Sequence, residues 1–225
     1  MPTWLHWLAI ISLIGSFLLA ITIATHVSHH RQHTAIMNVV WPVSALYGGV
    51  FVFWFYARHG RAHSQAPFPV SVVTGTTHCG AGCTLGDIIA EWLCLAVPAI
   101  ALWLGWHSIF DEKMFAVWIV DYIFAFVLGI IFQYCAIAPM RGLGFRDGLV
   151  AALKADTLSL TAWQVGMYGF MALAQYLYFR PLLGKMLEVN TFEFWFTMQL
   201  AMLCGFLTSY PVNWWLIRSG IKEKM

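Results

Sequence analysis

Six apolar stretches, each about long enough to cross a bilayer, limit most strongly how this chain can fold. A helical span needs about 20 mostly apolar residues. The stretches that qualify are Trp4–Thr25, Ala35–Ala57, Thr84–Trp106, Phe115–Ala138, Ser159–Phe179 and Phe192–Ile217. They predict an all-α membrane protein, a bundle of about six transmembrane helices that forms a single domain over residues 1–225.

Composition favours the lipid bilayer as the surroundings of this chain. Hydrophobic residues make up 60% of it and charged residues only 10%, against about 25% charged residues in a typical soluble domain. A water-soluble fold of this size could not cover so much apolar surface. The net charge of +2, without a run of Lys or Arg, gives no indication of a nucleic-acid partner.

The basic residues predict an orientation. With six crossings, both termini lie on one side, together with Arg58, Arg61, Arg141, Arg146, Lys154, Arg218, Lys222 and Lys224. The opposite side holds Arg31, Lys113, Arg180 and Lys185. Because cytoplasmic loops are enriched in Lys and Arg, this distribution predicts that both termini are cytoplasmic.

The segment His78-Cys79-Gly-Ala-Gly-Cys83 is the sharpest candidate metal site. With the third helix starting at Thr84, these residues form a glycine-rich turn at its cytoplasmic mouth. Two thiols and an imidazole could fold around one ion, and sulfur ligands select Cu(I), zinc or iron–sulfur centres. The alternative is a tightly packed turn in which Cys acts as a small hydrophobe.

Three acidic residues fall inside predicted spans, where acids are rare and usually face a cavity. Asp87 and Glu91 are four residues apart on one face of the third helix, and Asp121 lies about two turns inside the fourth. We expect them to handle protons or pair with a cation. Compensation of a helix dipole is the alternative for Asp87.

The loop after the first span is rich in histidine. His26, His30 and His33 share one helical face if the first helix continues, and three imidazoles suit zinc, copper or iron. The loop also fits the HxxHH box of di-iron desaturases, and a second box starts at His59. Because a straight second helix would hold the boxes about 30 Å apart, the sequence argues against a di-iron centre.

Two methionine pairs could line a pathway. Met167/Met171 lie on the fifth predicted helix and Met198/Met202 on the sixth, each pair on one helical face. Thioethers bind Cu(I) and reject harder ions, although methionine at this spacing is also ordinary packing material.

Other cofactors are weakly indicated. Zinc stays open at the His/Cys sites. Haem needs two histidines that face each other at one depth, and only His6 lies well inside a span. No Walker, C-x-x-C-H or nucleophile-elbow pattern occurs, so the sequence favours a protein other than an enzyme.

Four blocks carry a resemblance to a known family: Thr77–Trp92, Ala136–Phe145, Lys154–Ala172 and Ser209–Met225. They resemble domain of unknown function family 4396, a bacterial family of multi-pass membrane proteins, over nearly the whole chain. The resemblance implies a compact helical domain in the bacterial inner membrane and brings no catalytic residues.

The sequence therefore predicts a membrane protein that binds or moves a soft transition-metal ion, copper above all, with a metallochaperone as a candidate partner. His78, Cys79 and Cys83 would form an inner site and the loop histidines an outer one, with the methionines between them. The alternatives are a redox protein linked to thiols, quinone or haem, and an assembly factor without substrate.

Overall fold

The computed structural model describes residues 1–32, 34–60 and 66–224, which are helical almost throughout and contain no β-strand. The α-helices are α1 (Thr3–His29), α2 (Met37–His59), α3 (Phe68–Ala96), α4 (Ala99–Trp103), α5 (Lys113–Arg141), α6 (Phe145–Leu173), α7 (Arg180–Leu183) and α8 (Phe192–Arg218). A π-helical segment, Ala174–Phe179, joins α6 to α7. The predicted all-α bundle is confirmed.

Within the described residues, five helices are long and apolar enough to cross a membrane: α1, α2, α3, α5 and α8. The outer surface agrees, because large apolar side chains such as Ile11, Phe17 and Phe51 are more than half exposed along α1 and α2. A soluble monomer does not tolerate such patches, so the chain is a membrane protein.

Helix α2 reverses direction in its middle and does not cross. Gly49 has φ 49° and ψ −126°, a conformation that essentially only glycine adopts. On either side of it, the rings of Trp41 and Tyr56 lie 5.5 Å apart between centroids, although a straight helix would separate these positions by about 22 Å. The halves 37–48 and 50–59 thus form a re-entrant hairpin whose tip reaches the middle of the bundle.

The two termini lie at opposite ends of the bundle. His6, near the start of α1, contacts Glu193, near the start of α8, at 2.9 Å, so these two helices run parallel. Only α1, α3, α5, α6 and α8 run from one end to the other, each antiparallel to the one before it. The prediction that both termini share one side is wrong because α2 returns to the end from which it starts. We call the two ends the N-terminal and the C-terminal end.

Helix α3 begins 16 residues earlier than predicted. Pro67 and Pro69 flank its first residue, Phe68, where a missing N–H costs nothing. The glycines that suggested a turn lie inside the helix and let neighbours approach: a Cβ on Gly86 would lie 2.4 Å from the backbone nitrogen of Ala125 on α5. Small residues serve this purpose in membrane bundles.

Helix α6 also starts earlier than predicted, at Phe145 and not at Ser159. Its first half carries Asp147, Lys154 and Asp156, which explains why only its second half was predicted as part of a span and why α6 is not among the five apolar helices. It packs between α5 and α8: Tyr168 Oη donates to Trp118 O at 3.0 Å, and Ser209 Oγ donates to Ser159 O at 2.9 Å.

Candidate functional site

A seam of buried polar side chains follows α3 through the interior of the bundle. His78, Cys79, Cys83, Asp87 and Glu91 are each at most 5% exposed. The 14 residues from His78 to Glu91 cover about 20 Å of helix. Because buried polar groups are costly without partners, a seam of this length is the strongest candidate for function in the molecule.

The His/Cys segment lies on this seam and not at a mouth of the bundle. Cys79 and Cys83 are one turn apart and have interacting thiols, and Cys79 Sγ lies 3.5 Å from Ser159 Oγ on α6. His78 points elsewhere, with its ring 6.2 Å from that of Phe132 on α5. The predicted turn at a cytoplasmic mouth is wrong, because these residues lie inside an unbroken helix. The helix directs the imidazole of His78 and the two thiols to different faces.

All four predicted methionines face the interior. Met167, Met171, Met198 and Met202 are at most 3% exposed and pack into one hydrophobic cluster with Cys79 and Cys83. Thr84 Oγ1 on α3 donates to Met202 Sδ at 3.5 Å. We call these six residues the sulfur cluster. Sequence periodicity placed each methionine pair on one helical face, and the fold turns both faces toward α3.

The three predicted acids form a second group, which we call the carboxyl cluster. Asp87 and Asp121 are fully buried and Glu91 nearly so, and the charge of Asp121 interacts with those of the other two. Gln164 Nε2 donates to Asp87 Oδ1 at 3.0 Å, whereas neither oxygen of Asp121 has a partner among the described residues. The sequence placed all three inside spans, and the structure brings them together.

At the C-terminal end of the seam lies a buried ion pair that the sequence analysis missed. Lys222 Nζ donates to Asp156 Oδ1 at 2.8 Å, and both side chains are 0% exposed. Ser159 Oγ donates to the same oxygen at 2.9 Å. The available signal was an acid on the polar half of α6 and a lysine just after the last span, which looked like ordinary residues at the membrane surface.

The loop histidines are only partly gathered. The rings of His26 and His30 stack at 4.5 Å, and His26 Nδ1 lies 2.6 Å from Tyr56 Oη, whereas His33 falls outside the described residues. This group lies at the same end of the bundle as the start of α3, so the expected separation into inner and outer sites is wrong. The second histidine box begins at His59 and continues into residues 61–63, which fall outside the described residues. The argument from a straight second helix fails, because α2 returns to the end from which it starts.

Metal geometry is limited in the part of the chain that the structure describes. There, no three His, Cys, Asp or Glu side chains converge as a ready-made metal site, a test that leaves methionine ligands out. His6, the one histidine expected deep in a span, contacts Glu193 at the N-terminal end. Of the predicted ligand groups, the sulfur cluster is the one the fold gathers most completely.

An apolar cavity of about 420 Å³ lies between α1, α3 and α8. Phe17 and Leu18 stand on its lipid side, and Tyr47, Met198 and Met202 line its inner wall. It therefore connects the lipid-facing surface with the edge of the sulfur cluster, beside the tip of the α2 hairpin.

Comparison with known families identifies the family to which the chain belongs. A family model described as Domain of unknown function (DUF4396) matches residues 70–222, from the first turn of α3 to Lys222. No curated protein and no solved structure is significantly similar to the chain. The matched segment contains the carboxyl cluster, the sulfur cluster and the Asp156–Lys222 pair, but neither α1 nor the α2 hairpin.

Proposed function

Because the chain belongs to the family Domain of unknown function (DUF4396), its activity has to be argued from its own residues, and we propose that it binds and translocates a soft transition-metal ion, Cu(I). The observation that carries this proposal is the sulfur cluster: two thiols and four thioethers from three helices, all buried and all members of one apolar cluster. Thioether and thiolate ligands select Cu(I) over harder ions.

The surroundings of the sulfur cluster suit a monovalent soft ion. Apolar side chains such as Leu160 and Trp163 pack around it. The oxygen atoms in contact with its sulfur atoms are the hydroxyls of Ser159 and Thr84, which are too few to replace the hydration shell of a hard cation. A thiol that binds metal must release its proton. Asp87, one turn from Cys83 on α3, is placed to accept it.

We further infer that the C-terminal end of the bundle faces the cytoplasm of a bacterial cell, with the chain in the inner membrane. With α2 returning, eight of the described basic residues lie at that end: Arg31, Arg58, Arg141, Arg146, Lys154, Arg218, Lys222 and Lys224. Only Lys113, Arg180 and Lys185 lie at the other. This excess of basic residues at one end is larger than the excess that six crossings would give. A cytoplasmic metallochaperone would deliver copper at the C-terminal end.

The test is the copper content of the purified protein after loading with Cu(I) under reducing conditions. We expect Cys79→Ser/Cys83→Ser to lose most of the bound copper. Cys94→Ser is the matched control, because Cys94 is equally buried on the same helix but packs with α4 and α5. Equal copper in all three proteins would refute the proposal and favour an assembly factor without substrate.

A second candidate function is thiol–quinone oxidoreduction, favoured by the apolar cavity beside the sulfur cluster. Its volume of about 420 Å³ falls within the range of small-molecule sites, and it opens toward lipid. Oxidation of Cys79 and Cys83 to a disulfide would transfer two electrons and two protons to a quinone and form the quinol. Alkylation of both thiols that does not change after incubation with a soluble quinone would exclude this function.

A further inference from the structure

The chain after α8 turns back into the bundle. Gly220 adopts a left-handed conformation with φ 72°, and Ile221 N donates to Leu216 O at 3.1 Å while Gly220 N donates to Ile217 O at 3.2 Å. This is the Schellman arrangement that ends many helices. Here it directs the side chain of Lys222 inward between α3, α6 and α8.

Two outer contacts hold this tail in place. Arg141 at the end of α5 pairs with Glu223 at 2.6 Å, and the ammonium of Lys224 lies 5.7 Å from the ring centroid of Phe68 at the start of α3. Both contacts are at the surface, where ion pairs contribute little stability. The tail therefore closes the C-terminal end of the seam with contacts that are weak enough to open.

Inside the bundle, the ammonium of Lys222 lies in a pocket whose polar atoms outnumber those that it contacts. Asp156 Oδ1 accepts from it, while Asp156 Oδ2 has no partner among the described residues. His78 is fully buried beside the backbone of Phe132 and within electrostatic range of Lys222 and Asp156, and neither of its ring nitrogens makes a hydrogen bond of good geometry in that part of the chain. Ser159 adds a hydroxyl at 2.9 Å from Asp156 Oδ1.

Stability alone is a poor reason for this ion pair. Removing two charges from water costs about as much as their attraction returns, and apolar residues of similar volume are often equally or more stabilising. A carboxylate, an imidazole and a hydroxyl are instead ligands that suit a divalent first-row cation such as Zn²⁺.

We propose that Asp156, His78 and Ser159 form a second cation site, for a divalent ion, which the tethered ammonium of Lys222 fills until the C-terminal tail withdraws. The side chains do not converge as a metal site while Lys222 is present, and its departure leaves Asp156 in need of a cation. This site shares no proposed ligand with the sulfur cluster, although Ser159 Oγ lies 3.5 Å from Cys79 Sγ, so it extends the proposed function and can fail or succeed separately.

The experiment measures Zn²⁺ binding to the purified full chain by calorimetry. We expect Lys222→Met to bind Zn²⁺ at least about tenfold more tightly than the unaltered protein, a difference of about 1.4 kcal/mol. Adding Asp156→Asn should abolish this gain. Lys224→Met, on the same tail but outside the pocket, is the matched control and should change nothing.

Because Lys222→Met leaves a buried carboxylate unpaired, its thermal stability is measured with and without Zn²⁺. We expect a lowered Tm that Zn²⁺ restores, and no restoration once Asp156 is also replaced. Glu223→Gln loosens the tail without disturbing the buried pair, so it folds in any case and should also bind Zn²⁺ more tightly than the unaltered protein.

The proposal would be overturned if neither Lys222→Met nor Glu223→Gln bound Zn²⁺ more tightly than the unaltered protein. A gain that persists in Lys222→Met/Asp156→Asn would also overturn it, because Zn²⁺ would then bind elsewhere. Repeating the measurement with Cys79→Ser/Cys83→Ser separates the two sites: the gain should survive there even though Cu(I) binding is lost.

Discussion

Replacing Gly49 with alanine tests the reversal of α2, on which the topology depends. At φ 49° and ψ −126°, a residue with a Cβ is strained by about 1–3 kcal/mol. The new Cβ would also lie 3.1 Å from Ser16 Oγ on α1, so Ser16 must shift slightly and cannot relieve the strain. We therefore expect Gly49→Ala to lower the free energy of unfolding by about 1–3 kcal/mol.

The assay is reversible unfolding in mixed detergent micelles, followed by tryptophan fluorescence. The expected loss corresponds to roughly a 5- to 150-fold change in the unfolding equilibrium constant. The matched control is Gly169→Ala on α6, where the backbone has no positive φ and a Cβ would have no neighbour within 4 Å. That substitution should be neutral, or stabilising by up to about 1 kcal/mol. If Gly49→Ala behaves like Gly169→Ala, α2 does not reverse at this glycine.

Two further predictions concern the bundle. Reporter fusions or single exposed cysteines at residue 1 and after residue 224 should be accessible from opposite sides of the membrane, with the C-terminal one cytoplasmic; accessibility from one side would contradict five crossings. Gly86→Leu should destabilise the fold by about 1–3 kcal/mol, because even a Cβ there would lie 2.4 Å from Ala125 N on α5. Gly15→Leu, where a Cβ has no neighbour within 4 Å, should leave unfolding unchanged in the same assay.

The sequence predicted best those helices whose ends coincide with changes in polarity. Helices α1, α5 and α8 differ from their predicted spans by at most four residues at either end, since charged or polar residues bound them. Helices α3 and α6 begin earlier than predicted because their first halves are polar or rich in glycine. Hydropathy analysis predicts loops for such segments. In the bundle interior they can be helical, because neighbouring helices form hydrogen bonds with their polar side chains.

The reversal of α2 had only a faint signal in the sequence. Gly48 and Gly49 are adjacent in an otherwise apolar stretch, and paired glycines mark turns in soluble proteins. Inside a predicted span, the same pair reads equally well as a packing position. What settles its conformation is tertiary: Gln199 on α8 donates to Leu46 O at 2.6 Å and to Ser16 Oγ at 3.1 Å.

For the candidate site, the types of residue in the sequence indicated unusual chemistry, but the sequence did not show which of these residues would contact one another. Soft ligands and intramembrane acids could be recognised as unusual, and the fold does bury the methionines and gather the acids. The partners of these groups come from other helices: Gln164 for Asp87, and Ser159 for Cys79. Such pairings depend on helix packing, so Asp156 and Lys222, 66 positions apart, could not be paired from the sequence.

Because α2 enters the bundle and returns without crossing, the chain divides into two parts that contribute different numbers of membrane crossings. Residues 68–218 cross the membrane four times, so this part begins and ends on one face and keeps its orientation whatever precedes it. Helix α1 and the hairpin together add one crossing. Removing them, or adding one further crossing to them, would place the N-terminus in the other compartment and leave every residue of the seam facing the same way. An N-terminal addition that carries its own crossing is thus compatible with the rest of the bundle, whereas an inserted crossing after Phe68 would invert everything that follows it.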